Sequence, residues 1–408
     1  MTLTGFFPKV VDKDCSESDC ECVSLCIEVK MREKNLPLPL PLLEQMAATK
    51  QNPRFHAEGS VLVHTEMVVE KYFELRDQFD LDDSERKILY WAAVLHDTGK
   101  TITTFQDGER WRSPGHEKAS LPIARNILFQ QEDITADERK RILDIVRWHG
   151  FPLQWVKKSQ DINDLKKLGT RTDLRLLGIF TVFDFHGRIS ESQSETLQRI
   201  RDFQAKTVPQ VEYEMGSFQE LQKHYQGWNL RHKNAAWKAL QLNQPKLIER
   251  LLKAEPPKDY KHFGKKVFLT IGPPLAGKTH FLTQEHSDTF QIQLGDFGIH
   301  EGLHSDEYLL SRKLTEFKHL LVVYLNRHRT VAIEGSNLNQ HVRLRLAEMI
   351  RALEVELEYL VFDSSLDQIL SRNASLTSPH GEEDLRSRFK EFDLVHPWEA
   401  HQVAYLQP

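Results

Sequence analysis

An apolar run at residues 265–271, Lys-Lys-Val-Phe-Leu-Thr-Ile, leads directly into Gly272-Pro273-Pro274-Leu275-Ala276-Gly277-Lys278-Thr279. No other stretch restricts the fold as tightly, because GxxxxGK(S/T) does its chemistry only between a strand and a helix. Gly272 and Gly277 let backbone amides turn inward on phosphates. Lys278 reaches the β and γ oxygens, and the Thr279 hydroxyl binds magnesium. The runs around it support the same architecture. Short β-rich stretches at 267–271, 290–294, 331–333 and 357–362 alternate with helical ones, the pattern of a parallel α/β sheet. The expectation for residues 262–408 is therefore a phosphate-binding α/β domain that uses ATP or another nucleoside triphosphate.

The first half obeys a different period. Helical patterns follow one another at 60–78, 84–96, 116–130, 136–148, 161–187 and 190–206, divided by turn signals such as Asp107-Gly108, Ser113-Pro114-Gly115 and Gly150-Phe151-Pro152. At 408 residues the chain is too long for one ordinary core at roughly 150 residues per domain. Alternating prolines in the Leu-Pro repeat of residues 36–42 predict an extended entry strap with no helix until after Pro41. Glu255-Pro256-Pro257-Lys258 marks the main linker, at 254–261, within a helical connector spanning 211–261.

All four cysteines, Cys15, Cys20, Cys22 and Cys26, precede residue 36. They match no paired ligand spacing, so residues 1–35 are expected to be a dispensable leader, with Met31 an alternative start. The chain has no apolar run near the ~20 residues that span a bilayer and no secretory signal pattern, which suggests the cytoplasm. A net charge of −5 argues against a globally basic coat for nucleic acid, leaving room only for local contacts with a strand end.

At the end of the apolar helix 86–95 stands His96-Asp97, closed by Thr98-Gly99-Lys100. The helical half adds His64, His116 in Pro114-Gly115-His116-Glu117, His149 and Asp184, each beside apolar or turn residues where a polar group needs a partner. Mixed imidazole and carboxylate donors suit divalent transition metals of the manganese, nickel or cobalt class better than calcium. Lys100 and Arg188 are cations placed to meet a phosphate, although a solvated lysine and an ordinary salt bridge explain them equally well.

The order His, His-Asp, His, His, Asp resembles the HD phosphohydrolase superfamily, and its glycine and lysine after the pair look like the HD domain of bacterial CCA-adding enzymes. The resemblance spans roughly 55–200 and implies an all-α domain, whose expected bounds are 36–210. His64, His96, Asp97 and Asp184 would bind one metal, with Asp97 bridging to a second held by His116 and His149. Thr98 departs from the aliphatic residue more usual there.

In the second half, Asp296 lies just past the second strand, at the sheet edge where ligands of open α/β folds sit, and a carboxylate there can accept the proton of an attacking hydroxyl. Arg372, Arg386 and Arg388 are candidate lid cations. Glu334-Gly335-Ser336-Asn337, Ser371-Arg372-Asn373 and residues 392–399 with Pro397 resemble elements of the polynucleotide kinase and zeta-toxin group of P-loop phosphotransferases. That likeness implies Asp296 as general base and Arg372 as lid arginine. Glu334 replaces the usual Asp, and no arginine stands three residues after Asp296.

In order and length the two halves resemble the bacterial HD-polynucleotide kinase family of RNA end-healing enzymes. The resemblance implies a hydrolase that removes a 2′,3′-cyclic phosphate or terminal phosphomonoester, and a 5′-hydroxyl kinase using ATP and Mg2+. It also implies RNA ends, or DNA 5′ ends, as substrates, and an RNA ligase acting afterwards. The residues alone leave open a small-molecule kinase fused to a nucleotide phosphohydrolase, and a non-catalytic ATP-gated sensor.

Overall fold

The computed structural model describes residues 36–158, 161–189, 193–209 and 264–406. The cysteine leader, the 211–261 connector and its linker lie outside the described residues. The helical half runs α1 (Leu40–Ala48), α2 (Val61–Leu75), α3 (Asp83–Leu95), a single turn α4 (Lys100–Thr103), a hairpin of β1 (Phe105–Asp107) and β2 (Arg110–Arg112), α5 (His116–Leu128), α6 (Ala136–Trp148), α7 (Gly150–Lys158), α8 (Ile162–Gly169), α9 (Leu174–His186) and α10 (Gln193–Asp202).

Several features of the helical half differ from the pattern read in the sequence. Gly150, Phe151 and Pro152, expected as a turn, open α7. The entry strap gives way to α1 one residue before Pro41, because a proline in the first helical turn forfeits only an amide that has no intrahelical acceptor. Asp107-Gly108 caps a hairpin with Phe105 opposite Arg112, where the sequence pattern predicts only a turn. The single helix expected over 161–187 is two, α8 and α9, since the Asp173 side chain accepts from Leu176 N at 2.9 Å and starts a new helix.

α9 is buried on nearly every face, as a helix apolar all round must be. It forms the spine of one core with α2 and α3, in which Val68, Tyr72, Leu89, Leu95, Phe180 and Phe183 pack together. The helices that lead to His96 and His149 start at defined points: Asp82 and Glu85 cap α3 reciprocally, as Thr135 and Glu138 cap α6.

The α/β half is a five-stranded, wholly parallel sheet. Its strands are β3 (Lys266–Ile271), β4 (Phe290–Gln293), β5 (Thr330–Glu334), β6 (Glu356–Phe362) and β7 (Gln402–Leu406), in the spatial order β4-β5-β3-β6-β7. The helices are α11 (Lys278–Glu285), α12 (Glu307–Arg327), α13 (Gln340–Arg351), α14 (Leu366–Ala374) and α15 (Glu382–Lys390). Leu294 leaves the expected second strand to begin a 3₁₀ turn. The edge strand β7 has no counterpart among the strands expected from the sequence; it is a five-residue Gln-Val-Ala-Tyr-Leu segment that shows no apolar-polar alternation.

The halves meet at several carboxylates, Asp393 pairing with Lys118 at 3.0 Å among them. Asp363, directly after β6, accepts from Arg125 Nε and Arg139 Nε, each at 3.1 Å. Arg125 also lies over the rings of Phe389 and Phe392, 4.4 and 4.2 Å from their centroids. Among the described residues no helix is long and apolar enough to cross a membrane.

Candidate metal centre and phosphate-binding loop

His96 and His149 are the residues at which α3 and α6 end, and His116 opens α5. All three are fixed the same way: Nδ1 donates to the carbonyl three residues back, His96 to Ala93 at 3.0 Å, His116 to Ser113 and His149 to Val146, each at 2.8 Å. A carbonyl only accepts, so each Nδ1 carries the proton and each Nε2 keeps its lone pair. These lone pairs converge. His116 Nε2 is 3.2 Å from His149 Nε2, and His96 Nε2 is 3.3 Å from His64 Nε2.

Asp97 stands between the two pairs. Its Oδ1 lies 3.3 Å from His116 Nε2 and 3.6 Å from His149 Nε2; its Oδ2 lies 3.3 Å from His96 Nε2 and 3.6 Å from His64 Nε2. Asp184 Oδ1 closes the cage, 3.1 Å from His64 Nε2. The six side chains thus form two adjoining donor groups, His64-His96-Asp184 and Asp97-His116-His149. Asp97 Oδ1 is buried and accepts no hydrogen bond from the described residues. Two unprotonated imidazole nitrogens facing each other beside an unsatisfied carboxylate oxygen repel unless a cation lies among them. The residues present therefore fit a pair of divalent transition metals, with nitrogen and oxygen donors of the right chemistry.

Electrostatics keep His96, Asp97 and Asp184 in ligand form, whereas at His64 burial is outweighed by Asp184 and Glu58, which raise its pKa above the ordinary range. Burial holds the His96 imidazole below its ordinary range, hence neutral. Burial alone would raise the Asp97 carboxyl, but the Lys100 ammonium leads the groups that outweigh it and hold it well below the carboxylate range; for Asp184, Arg188 and His64 do the same.

Lys100 is not a solvated lysine at a helix end. It is buried, with Nζ 2.6 Å from Asp97 Oδ2 and donating to Gln51 Oε1 at 2.7 Å. Arg188 grips Asp184 through Nε at 3.1 Å and through Nη2. Thr98 is buried and donates to Leu95 O at 2.9 Å, so a hydroxyl in place of an aliphatic group is satisfied locally.

Two glycines let the segments of the cage approach one another. A Cβ on Gly99 would sit 2.3 Å from His116 O and 2.4 Å from Ser120 N, and one on Gly187 would sit 2.6 Å from Val68 Cγ2 and 2.8 Å from its nitrogen. The first lets the His-Asp turn press against α5; the second lets the end of α9, with Asp184, press against α2, with His64. Ser120 Oγ bridges the first contact, accepting from Gly99 N and donating to His96 O.

Sequence reasoning missed Gln51, His56 and Glu58, which pack behind Lys100 and His64. Only the polarity of the 51–60 stretch ahead of the Ser60 helix cap signalled them, and loops are commonly polar.

In the other half the loop from Gly272 to Gly277 joins β3 to α11, at the carboxyl end of the central strand. Lys278 Nζ donates to Gly272 O at 2.9 Å and Pro273 O at 2.7 Å, and burial lowers its pKa to about 8. Thr279 Oγ1 donates to Glu334 Oε1, whose other oxygen accepts from Gln293 Nε2 at 2.7 Å. Pro274, Leu275 and Ala276 form the arch, and Arg372 Nη1 donates to Leu275 O at 2.9 Å.

Asp296 is exposed in the 3₁₀ turn after β4. Arg386 and Arg388 pair with Glu382 and Asp384 on their own helix. Glu399 is fully buried against Arg343, with Nε to Oε2 at 3.0 Å, which gives the end of the 392–399 region a structural duty.

The HD domain family model matches residues 61–184, a span that begins three residues before His64 and ends on Asp184. The chain carries an HD domain, and such domains are typically metal-dependent hydrolases. Among curated proteins none matches the chain.

Proposed function

We propose that the chain heals broken RNA ends: the helical half is a phosphoesterase for 2′,3′-cyclic phosphates or terminal phosphomonoesters, and the α/β half is an ATP-dependent 5′-hydroxyl kinase. The observation that carries the hydrolase reading is the convergence of four imidazole Nε2 atoms on Asp97. His64, His96 and Asp184 would hold one cation and His116 and His149 the other, with Asp97 shared. With two manganese-, nickel- or cobalt-class ions bound, the centre supplies a hydroxide at neutral pH and a clamp for the phosphoryl oxygens. Lys100 keeps Asp97 ionised and oriented while it does so, and Arg188 does the same for Asp184. Both cations thus act on the phosphate through the carboxylates they grip.

In the kinase reading Lys278 exchanges the carbonyls of Gly272 and Pro273 for the β and γ oxygens of ATP. Thr279, backed by Glu334, takes Mg2+. Asp296 accepts the proton of the 5′-hydroxyl as its oxygen attacks the γ-phosphorus and ADP leaves. Arg372 reaches the phosphates from its place on the arch. Glu334 supplies the same carboxylate as the usual Asp on a side chain one methylene longer. Support for this half is the loop and its strand-to-helix setting; RNA or DNA as acceptor, and a ligase as successor, rest on the likeness of domain order.

The test is one RNA bearing a 5′-hydroxyl and a 2′,3′-cyclic phosphate. Asp97→Ala is expected to lose the 3′-end reaction alone and Lys278→Ala the 5′-end reaction alone, each by at least about 100-fold. Loss of both reactions in either variant would mean a single composite site. Equal phosphorylation of mononucleosides and oligonucleotides would point to a small-molecule acceptor.

A further inference from the structure

Behind the cage lies a carboxylate that the reaction does not use. Glu58 stands in the loop before α2 with its side chain 1% exposed. Its Oε1 is 3.1 Å from His64 Nδ1 and 2.8 Å from His56 Nδ1, and its Oε2 accepts from Ile189 N at 3.1 Å. The backbone repeats the tie, Ala57 N donating to Ile189 O at 3.0 Å. Glu58 therefore touches the α2 ligand and the segment that follows the α9 ligand at once: His64 directly, and Asp184 through the 187–189 turn.

We propose that Glu58 is a positioning residue for the metal centre, fixing the His64 ring so that Nε2 faces the cation, with His56 as the outer member that holds Glu58. The inference rests on the metal-centre reading above. A ligand histidine must present one nitrogen bare, and a carboxylate on the other nitrogen selects that tautomer and makes the ring a stronger donor. His64 differs here from its neighbours. His96, His116 and His149 are each held by the carbonyl three residues back. His64 lies in the first turn of α2, and the carbonyl three residues before it, Val61 O, accepts from Thr65 Oγ1 instead. The support for its ring comes from Glu58 and from Gly187 O at 3.2 Å, neither on its own helix.

His56, Glu58 and His64 also lie close enough to be considered as a third cation site, but the contacts favour hydrogen bonding. Gly187 O faces the same Nδ1 as Glu58, and a carbonyl there requires a proton on that nitrogen. A cation on Nδ1 would displace it and leave His64 bridging two metals as an anionic imidazolate. One Glu58 oxygen accepting two N–H groups accounts for the cluster without that.

The experiment is calorimetric titration of Mn2+ into the metal-stripped full chain, read as affinity and ions bound per chain, with circular dichroism and thermal unfolding of the metal-free proteins beside it. Glu58→Ala is expected to keep two ions per chain and to weaken their binding roughly 10–100-fold. Glu58→Gln keeps an acceptor for His64 Nδ1 and is expected to recover most of that loss; it also serves if the alanine variant does not fold. Unchanged Mn2+ affinity in both folded variants overturns the inference. So does a wild-type stoichiometry of three that falls to two, which would make Glu58 a ligand. A wild-type chain that binds no Mn2+ removes the metal centre itself, and this inference with it, whereas normal wild-type binding with equal binding by Glu58→Ala removes this inference alone.

Discussion

The two sites are built by opposite means. The Gly272–Thr279 stretch is eight consecutive residues, six between β3 and α11 and two opening that helix, so its residues are joined by the chain itself, with Glu334 and Arg372 touching it from later segments. The cage draws six side chains from α2, the turn after α3, the start of α5, the end of α6 and the end of α9, so its geometry depends on how five segments pack. A local site tolerates movement around it; an assembled one inherits every error of the core. The difference teaches where each half is vulnerable: the loop to changes within itself, the cage to changes at contacts that touch no ligand side chain.

Gly99→Ala breaks this comparison most severely if it is wrong. The added Cβ would meet backbone atoms of residues 116 and 120, which cannot swing aside as a side chain end can, so α5 must move and His116 with it. The expected result is loss of the 3′-end reaction by at least about 100-fold, on the scale of a 1 Å displacement of a catalytic group, together with about 1–3 kcal/mol of stability. The 5′-end reaction should be unchanged. Assaying both ends of the same RNA checks it, and equal loss at both ends would show that the halves are not separable in this way.

Asp363→Ala probes the seam between the two kinds of site. The carboxylate pairs with two buried arginines, Arg125 on α5 and Arg139 on α6, and those helices also carry His116 and His149. Removing it leaves two guanidinium groups without their shared anion. Breaking a buried pair from one side costs about 3–5 kcal/mol, expected as a lower urea midpoint. Because both arginines belong to the helices of the cage, the 3′-end reaction should weaken more than the 5′-end reaction at a temperature where the protein stays folded.

Legibility followed the same division. The loop and the parallel sheet could be read because the required residues are adjacent and the strand period around them is plain. The cage histidines could be named as candidates because each sits beside a turn or a buried helix, but their grouping came from resemblance, since nothing in the spacing of His64 and Asp184, 120 residues apart, says that they touch. Glu58 and Asp363 were invisible for a physical reason: each is a carboxylate in a connecting segment, and connecting segments are ordinarily polar. What gives them meaning is a partner far away in sequence, Ile189 for one and Arg125 for the other. The start of α1 and the break at Asp173 were local matters of helix-start proline and capping, legible in principle from the residues themselves.

Asp144 offers the mildest test, on the same helix that joins the seam to the cage. It lies between Arg139 and His149 along α6, buried, with Lys140 Nζ at 2.6 Å from Oδ2. Burial raises its pKa to about 6 from an ordinary 3.8, against the pull of Lys140. The folded protein therefore holds this proton more tightly than the unfolded chain. The stabilisation is fully present below about pH 4 and is lost as the pH rises through about 6, so stability should fall across that window. Two pK units correspond to at most about 3 kcal/mol, and the Lys140 pair reduces what a substitution recovers, so Asp144→Asn should be stabilising at pH 7 by roughly 1 kcal/mol and should flatten the slope between pH 4 and 6. Urea unfolding at closely spaced pH values measures both. If the slope persists in Asp144→Asn, the charge on α6 is already compensated, and the assembled half is better insulated from its own buried groups than the comparison with the loop implies.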